Sequence, residues 1–404
     1  MAQSSDPLKR NNPFSEQTAG EYFVGREEEF KQFQANLDGL ASGIANHAFV
    51  AGLHGAGKTS YLDQLVTIAG KQGFVSVLTN VTEQVTGLAN VQSILRAIAD
   101  AVEDWAQPDH QVKTGTDWAK GKDSTLFRQV KLDVLEADQV RRDLSQLWSI
   151  ASEAEARGIV VCIDEGQWLQ SDALSALKVA LEAQTHIVCV LSLRLPAAED
   201  GLRKAGRVRL EEMAMKAGGD IGASRLYTTE IAMGPFTDDL EAKRCIDRRL
   251  LDNAISFDDE LSREVINLAA RVPRDIILYA QKVYARADEA GLTQADASLL
   301  DDVVRDYHAA EVAQAARLVE NLARSARSLL KVLIECDGCA TDRQLAQRIQ
   351  AGSDPDTLST VSEGINSQLS KVCERFPGLL ASEDTFQVAS RSHFFALRIA
   401  LEER

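Results

Sequence analysis

An apolar run, Ala48-Phe49-Val50-Ala51, leads directly into Gly52-Leu53-His54-Gly55-Ala56-Gly57-Lys58-Thr59-Ser60, and this stretch constrains the fold more than any other. Gly52 to Thr59 satisfies G-x-x-x-x-G-K-[ST] at every fixed position. Glycines let such a loop wrap closely, so that backbone N–H groups point inward at phosphate oxygens. Tyr61, Leu62, Leu65, Val66 and Ile68 recur at helical spacing just afterwards, and a helix beginning there turns its positive dipole end to the loop. Lys58 is positioned to reach the β- and γ-phosphates and the Thr59 hydroxyl to sit on Mg²⁺. The expectation is a strand–loop–helix that binds a nucleoside triphosphate, with Gly52, His54, Gly55, Ala56, Gly57, Lys58, Thr59 and Ser60 forming the cradle.

A second apolar run ends in two acids: Gly158-Ile159-Val160-Val161-Cys162-Ile163-Asp164-Glu165. A carboxylate at the tip of a buried strand suits a hydrated Mg²⁺, which is the role expected of Asp164. Glu165 would orient and polarise the attacking water, since phosphoryl transfer needs little beyond positioning and charge stabilisation. Further strands are expected at Gly73–Asn80, His186–Pro196 and Thr229–Met233, with a short one within Leu126–Val134 and a polar loop over Pro108–Lys122. Helices are expected at 90–106 and 137–155 between these strands. The alternation predicts an α/β core with a parallel sheet.

At 404 residues the chain has length for two or three domains. It holds no apolar run of about 18 residues, so no membrane span is expected. Its first residues lack the apolar centre of a signal peptide, and the expected location is cytoplasmic. A formal net charge of −16 argues against a general nucleic-acid binder, although a local basic face remains compatible with it. Cys162 and Cys189 fall in apolar runs and read as buried thiols. Cys336 and Cys339 have no second close pair to complete a zinc site and read as reduced thiols.

Phe23-Val24-Gly25-Arg26-Glu27-Glu28-Glu29, upstream of the phosphate loop, resembles the AAA+ ATPases of the origin-recognition, helicase-loader and STAND-like branch. The resemblance implies that the ligands are ATP and Mg²⁺, that Phe23 and Val24 lie beside the adenine, and that five parallel strands take the order 5-1-4-3-2. It makes Ser192 the "sensor 1" residue, although a serine in a strand also has a plain structural reading. Arg194 departs from the family's G-L-P at this point. Arg225 matches the arginine finger, with Arg203 and Arg207 as competitors and a surface pairing of Arg225 with Asp220 or Glu230 as the plain alternative. Arg274 matches "sensor 2", while Arg271 replaces the usual glycine of G-x-P-R.

The implied organisation is an N-terminal extension (1–20), a nucleotide-binding core (21–237), a helical lid (238–310) and a winged-helix-like domain (311–404). Lid helices are expected at Leu240–Leu250, Asp259–Ala270, Arg274–Ala287 and Thr293–Tyr307. The tail should carry helices at Leu318–Cys336, Asp342–Ile349 and Leu358–Cys373, two strands at Leu379–Ala381 and Phe386–Ala389, and a last helix. The family implies an ATP-hydrolysing switch that assembles with itself or with a separate protein partner. A DNA-binding loader or regulator, and a signalling ATPase with little turnover, are the alternatives. Eleven Lys and Arg against thirteen Asp and Glu in 311–404 disfavour DNA binding by the tail alone.

Overall fold

The computed structural model describes residues 12–14, 22–107, 136–195, 202–215, 225–336, 338–350, 355–374, 376, 378–382, 385–388 and 390–402. The strand expected within Leu126–Val134, the loop over 108–122 and Asp220 lie outside them. The chain divides into two compact units, one of residues 17–237 and one of residues 1–16 with 238–404.

In the first unit the described elements are α1 (Glu27–Ala41), β1 (His47–Leu53), α2 (Lys58–Lys71), β2 (Val75–Asn80), α3 (Gly87–Trp105), α4 (Ala137–Glu153), β3 (Ile159–Asp164), α5 (Ser171–Glu182), β4 (Ile187–Leu195), α6 (Leu202–Met215) and β5 (Tyr227–Met233). The five strands pair in the order β2-β3-β4-β1-β5, every neighbour parallel. This is the order 5-1-4-3-2 read from the other edge. Alternate side chains of each strand serve opposite faces. Ala48, Val50, Val160, Cys162, Val188 and Val190 join Leu37, Leu40, Leu62 and Leu65 of α1 and α2 in one core. Phe49, Ala51, Val161, Ile163, Cys189 and Leu191 join α3 to α6 in the other. A sheet covered on both faces explains the near-continuous apolar strands. Helix α6 was not among the helices expected from sequence, because few of its residues (Gly206, Leu210, Met213, Ala214) face the core.

The second unit opens with Asn12 to Phe14. Phe14 is buried against Phe257 and Tyr284, with ring centroids 5.8 and 6.2 Å away, and Asn12 Nδ2 donates to the Gln281 carbonyl at 3.0 Å. Helices α7 (Asp239–Leu250), α8 (Asp259–Leu268), α9 (Pro273–Glu289) and α10 (Ala297–Tyr307) follow, with short strands β6 (Ser256–Phe257) and β7 (Gln294–Ala295). Asp238 and Asp258 cap α7 and α8 by accepting N–H bonds from Glu241 and Leu261, each at 2.7 Å. Asp296 caps α10 by accepting the Ser298 N–H at 3.0 Å, so the helix expected to start at Thr293 starts later, after β7.

The single helix expected over Leu318–Cys336 is two, α11 (Ala309–Glu320) and α12 (Arg324–Glu335), broken at Asn321, whose Nδ2 turns back to the Arg317 carbonyl at 2.8 Å. Then come β8 (Cys339–Thr341), α13 (Asp342–Ile349), α14 (Pro355–Cys373), β9 (Leu379–Ser382), β10 (Thr385–Val388) and α15 (Arg391–Glu402). The three strands form an antiparallel sheet in the order β8-β10-β9. Strand β8 was not expected from sequence; it has only three residues and ends at Thr341, which forms the capping box of the next helix with Gln344. Arg398 of α15 reaches Glu264 of α8 at 2.6 Å and Asp301 of α10 at 2.8 Å, so the last helix is ionically fastened to these two helices. Among the described residues no helix is long and apolar enough to cross a membrane.

Candidate nucleotide-binding site

Parallel strands put all their carboxyl ends on one edge of the sheet, where ligands of open α/β sheets bind. Three strands deliver chemistry there: β1 runs into the phosphate loop, β3 ends at Asp164, and β4 carries Ser192. Gly57 caps α2 in the left-handed region, with φ 86°, and Gly55 has φ 80°. An added Cβ at Gly57 would meet no atom within 4 Å, so the loop borders open space at a helix N-terminus, a geometry suited to an anion. Gly52 ends inside β1, His54 is exposed, Ala56 is buried, and Ser60 is half-buried in the first turn of α2.

Lys58 is only 8% exposed, and its Nζ donates to the Gly52 carbonyl at 3.1 Å and the Leu53 carbonyl at 2.9 Å. Burial pushes its pKa down, against the opposing pull of the Asp164 and Glu165 carboxylates. A buried ammonium bonded to neutral carbonyls is a strong partner for an incoming anion.

The hydroxyls and carboxylates interlock. Thr59 Oγ1 donates to Asp164 Oδ2 at 2.5 Å, and the fully buried Ser192 hydroxyl donates to Asp164 Oδ1. The Glu165 N–H lies 2.9 Å from Asp164 Oδ1 and 3.1 Å from Ser192 Oγ. Thr59, Asp164, Glu165 and Ser192 thus form one hydrogen-bonded cluster across β3, β4 and α2. A hydroxyl and a carboxylate side by side are hard oxygen donors, the set that suits Mg²⁺.

Two participants were not singled out in the sequence. Arg26, 5% exposed and left-handed at φ 68°, donates to the Ala56 carbonyl at 3.3 Å and to the Gly234 carbonyl, and sits 5.5 Å over the Phe236 ring. It braces the phosphate loop from behind, and its place directly after Gly25 was the available signal. Gln167 donates from Nε2 to Glu165 Oε2 and accepts at Oε1 from the Arg194 N–H at 3.0 Å. Phe23 and Val24 are half-buried; Phe23 packs edge-on to Phe30 at 5.6 Å, and Phe30 lies 4.9 Å from Tyr61 of α2.

The arginines separate by environment. Arg207 is tied to Glu230, to the Tyr227 carbonyl at 2.9 Å and to the Phe49 ring at 5.0 Å, which commits it to the core. Because Arg207 occupies Glu230, the structural pairing considered for Arg225 has a competitor in place. Arg203 and Arg225 are exposed, on α6 and just before β5. In the second unit, Arg274 is exposed in the first turn of α9, behind Pro273. Arg271, which stands where glycine is usual, has φ 62°, the conformation glycine tolerates best.

Residues 22–191 match the family described as the AAA ATPase domain. That segment, less than half of the chain, holds α1 to most of β4, including the phosphate loop and both acids. Over 379 residues it is 23% identical to an uncharacterized HTH-type transcriptional regulator of Methanocaldococcus jannaschii, covering 89% of this chain and 87% of that one. Among solved structures it is similar to the Walker-type ATPase of Pyrococcus abyssi, with 14% identity, coverage of 96% and 99% of the two chains, and a TM-score of 0.48. A chain of Drosophila ORC bound to DNA matches with 13% identity, coverage of 98% and 94%, and a TM-score of 0.46.

Proposed function

We propose that this AAA ATPase-domain chain is an ATP-hydrolysing switch that assembles, in its ATP-bound form, with copies of itself or with a separate protein partner. The observation that carries the reading is the bonded cluster of Thr59, Asp164, Glu165 and Ser192 beside the buried Lys58. Loop N–H groups and Lys58 hold the phosphates of ATP. Thr59 and Asp164 hold Mg²⁺, which when bound supplies positive charge to the phosphate oxygens. Glu165 accepts a hydrogen bond from the attacking water and orients it, and Ser192 fixes the peptide between the two acids. Phe23 and Val24 lie on the adenine side, Arg274 takes the "sensor 2" role, and Arg225 acts across a subunit interface. The reading divides the chain into extension, core, lid and winged-helix-like tail. Phosphate-release assays on the full chain, with ATP and Mg²⁺ and with Glu165→Gln as control, test turnover; sedimentation with and without ATP tests assembly. Absence of turnover under all conditions would overturn it.

A second reading, a DNA-binding regulator, draws on the HTH-type name of the relative. The acidic balance of 311–404 weighs against the tail acting alone. Anisotropy of a labelled duplex, with full-length protein with and without ATP, separates the two: tight binding without nucleotide favours the regulator.

A further inference from the structure

We propose that Gln167 is a positioning residue for hydrolysis, its carboxamide clamping the Glu165 side chain to the end of β4. The inference rests on the ATPase reading above. Both halves of the amide are used, Nε2 donating to Glu165 Oε2 and Oε1 accepting from the Arg194 N–H at 3.0 Å. The far end of the clamp is therefore backbone of β4, two residues beyond Ser192, and does not depend on another side-chain rotamer.

The intervening turn is pressed hard against the same strand. A Cβ at Gly166 would lie 2.2 Å from Leu191 Cδ1 and 2.7 Å from the Ser192 carbonyl oxygen, so only glycine fits. Glu165 is held at φ 54°, its N–H 3.1 Å from Ser192 Oγ, and the turn closes with the Trp168 N–H donating to the Glu165 carbonyl at 3.0 Å. β4 thus fixes Glu165 twice, at its backbone through Ser192 and at its carboxylate through Gln167.

The chemistry of the amide suits this work. Glutamate has rotatable bonds whose freedom costs entropy to freeze, and a prior hydrogen bond meets that cost before the water arrives. A neutral donor orients the carboxylate without cancelling its charge, as a lysine or arginine would. With Oε2 on Gln167, Oε1 is left to accept from the water. Because the clamp ends on the Arg194 peptide, movement of the β4 terminus is relayed to the water-orienting group.

The test is steady-state and single-turnover hydrolysis of ATP by the full chain. Gln167→Ala should lower kcat by about ten- to a hundredfold with KM for ATP changed by less than about twofold, the effect of misplacing a reacting group. Gln167→Glu, equal in size but without the donor, should lose as much, with an unchanged melting temperature. In a Glu165→Gln background, Gln167→Ala should add no further loss to the single-turnover rate, because it acts through Glu165. Wild-type turnover matched by Gln167→Ala, or full additivity in the double variant, overturns the clamp alone. A wild-type chain that binds ATP without hydrolysing it overturns both the clamp and the ATPase reading.

Discussion

Thr59 and Asp164 stand 105 positions apart in the chain, yet the Thr59 hydroxyl donates to Asp164 Oδ2 at 2.5 Å. The pairing brings the first residue after the loop lysine against the tip of β3, and under the proposed function both oxygens would serve one Mg²⁺. Thr59→Ala and Asp164→Asn should each raise the Mg²⁺ concentration needed for half-maximal ATPase activity by at least about tenfold. Nucleotide binding measured in EDTA should change much less. Equal losses with and without Mg²⁺ would remove the metal assignment.

Lys58→Ala should weaken ATP binding by about 3 kcal/mol, roughly a hundredfold in Kd, because the phosphates lose their buried, charged donor. Removing Lys58 leaves the carbonyls of Gly52 and Leu53 beside the loop, so folding should survive. Calorimetric titration measures the loss, and a Kd within a factor of two of wild type would contradict the role.

Glu165→Gln should keep ATP bound while lowering turnover by about two to four orders of magnitude, the range for loss of a water-activating base. The glutamine retains the size of the side chain and Gln167 retains a possible partner. A variant hydrolysing at the wild-type rate would move the water-orienting role elsewhere.

The core and its site were legible where one physical rule acted alone. Doubly covered parallel strands must be apolar throughout, and a phosphate loop must be built from Gly, Lys and Thr, so β1, β3 and β4 with Lys58, Thr59 and Asp164 stood out. Helix α6 did not, because only a narrow stripe around Gly206 and Leu210 meets the sheet and the rest is charged. Arg26 and Gln167 were hidden for another reason. Each acts by hydrogen bonding to backbone far along the chain, at Gly234 and Arg194, and although Arg26 stands in the Phe23–Glu29 motif, a local motif does not say which distant carbonyl a side chain will meet. The break between α11 and α12 lacks proline or glycine, the residues that mark helix ends in sequence.

Arg225 and Arg274 should part company when subunits are mixed. Arg274→Ala is expected to lower turnover in every copy that carries it, because the "sensor 2" role that the resemblance implies for it is exerted within one chain. Arg225→Ala protein, inactive alone, should recover turnover when mixed with Glu165→Gln protein, because an intact Glu165 then receives the neighbour's intact Arg225. Mixtures that co-assemble by sedimentation yet regain no activity would remove the finger assignment from Arg225.

His47 makes stability of the core pH-dependent. Its ring is 3% exposed at the start of β1, and Nδ1 accepts the Cys189 N–H at 3.0 Å. Protonating Nδ1 would bury a charge and turn that acceptor into a second donor facing an N–H. Burial accordingly pushes the pKa down from 6.5 to about 4. An unfolded chain takes up this proton near pH 6.5, whereas the folded chain resists it until near pH 4. Between those values the unfolded state binds the extra proton, so stability is fully present above the window and falls as pH drops through it. The displacement corresponds to about 3 kcal/mol across the whole window. His47→Gln offers a carbonyl oxygen to the Cys189 N–H but no titrating group. Denaturant unfolding at about pH 7.5 and about pH 4.5 should therefore show wild type losing about 2 to 3 kcal/mol more than the variant. Equal losses in the two proteins would mean that His47 carries its proton in the folded core, against the hydrogen bond it accepts from β4.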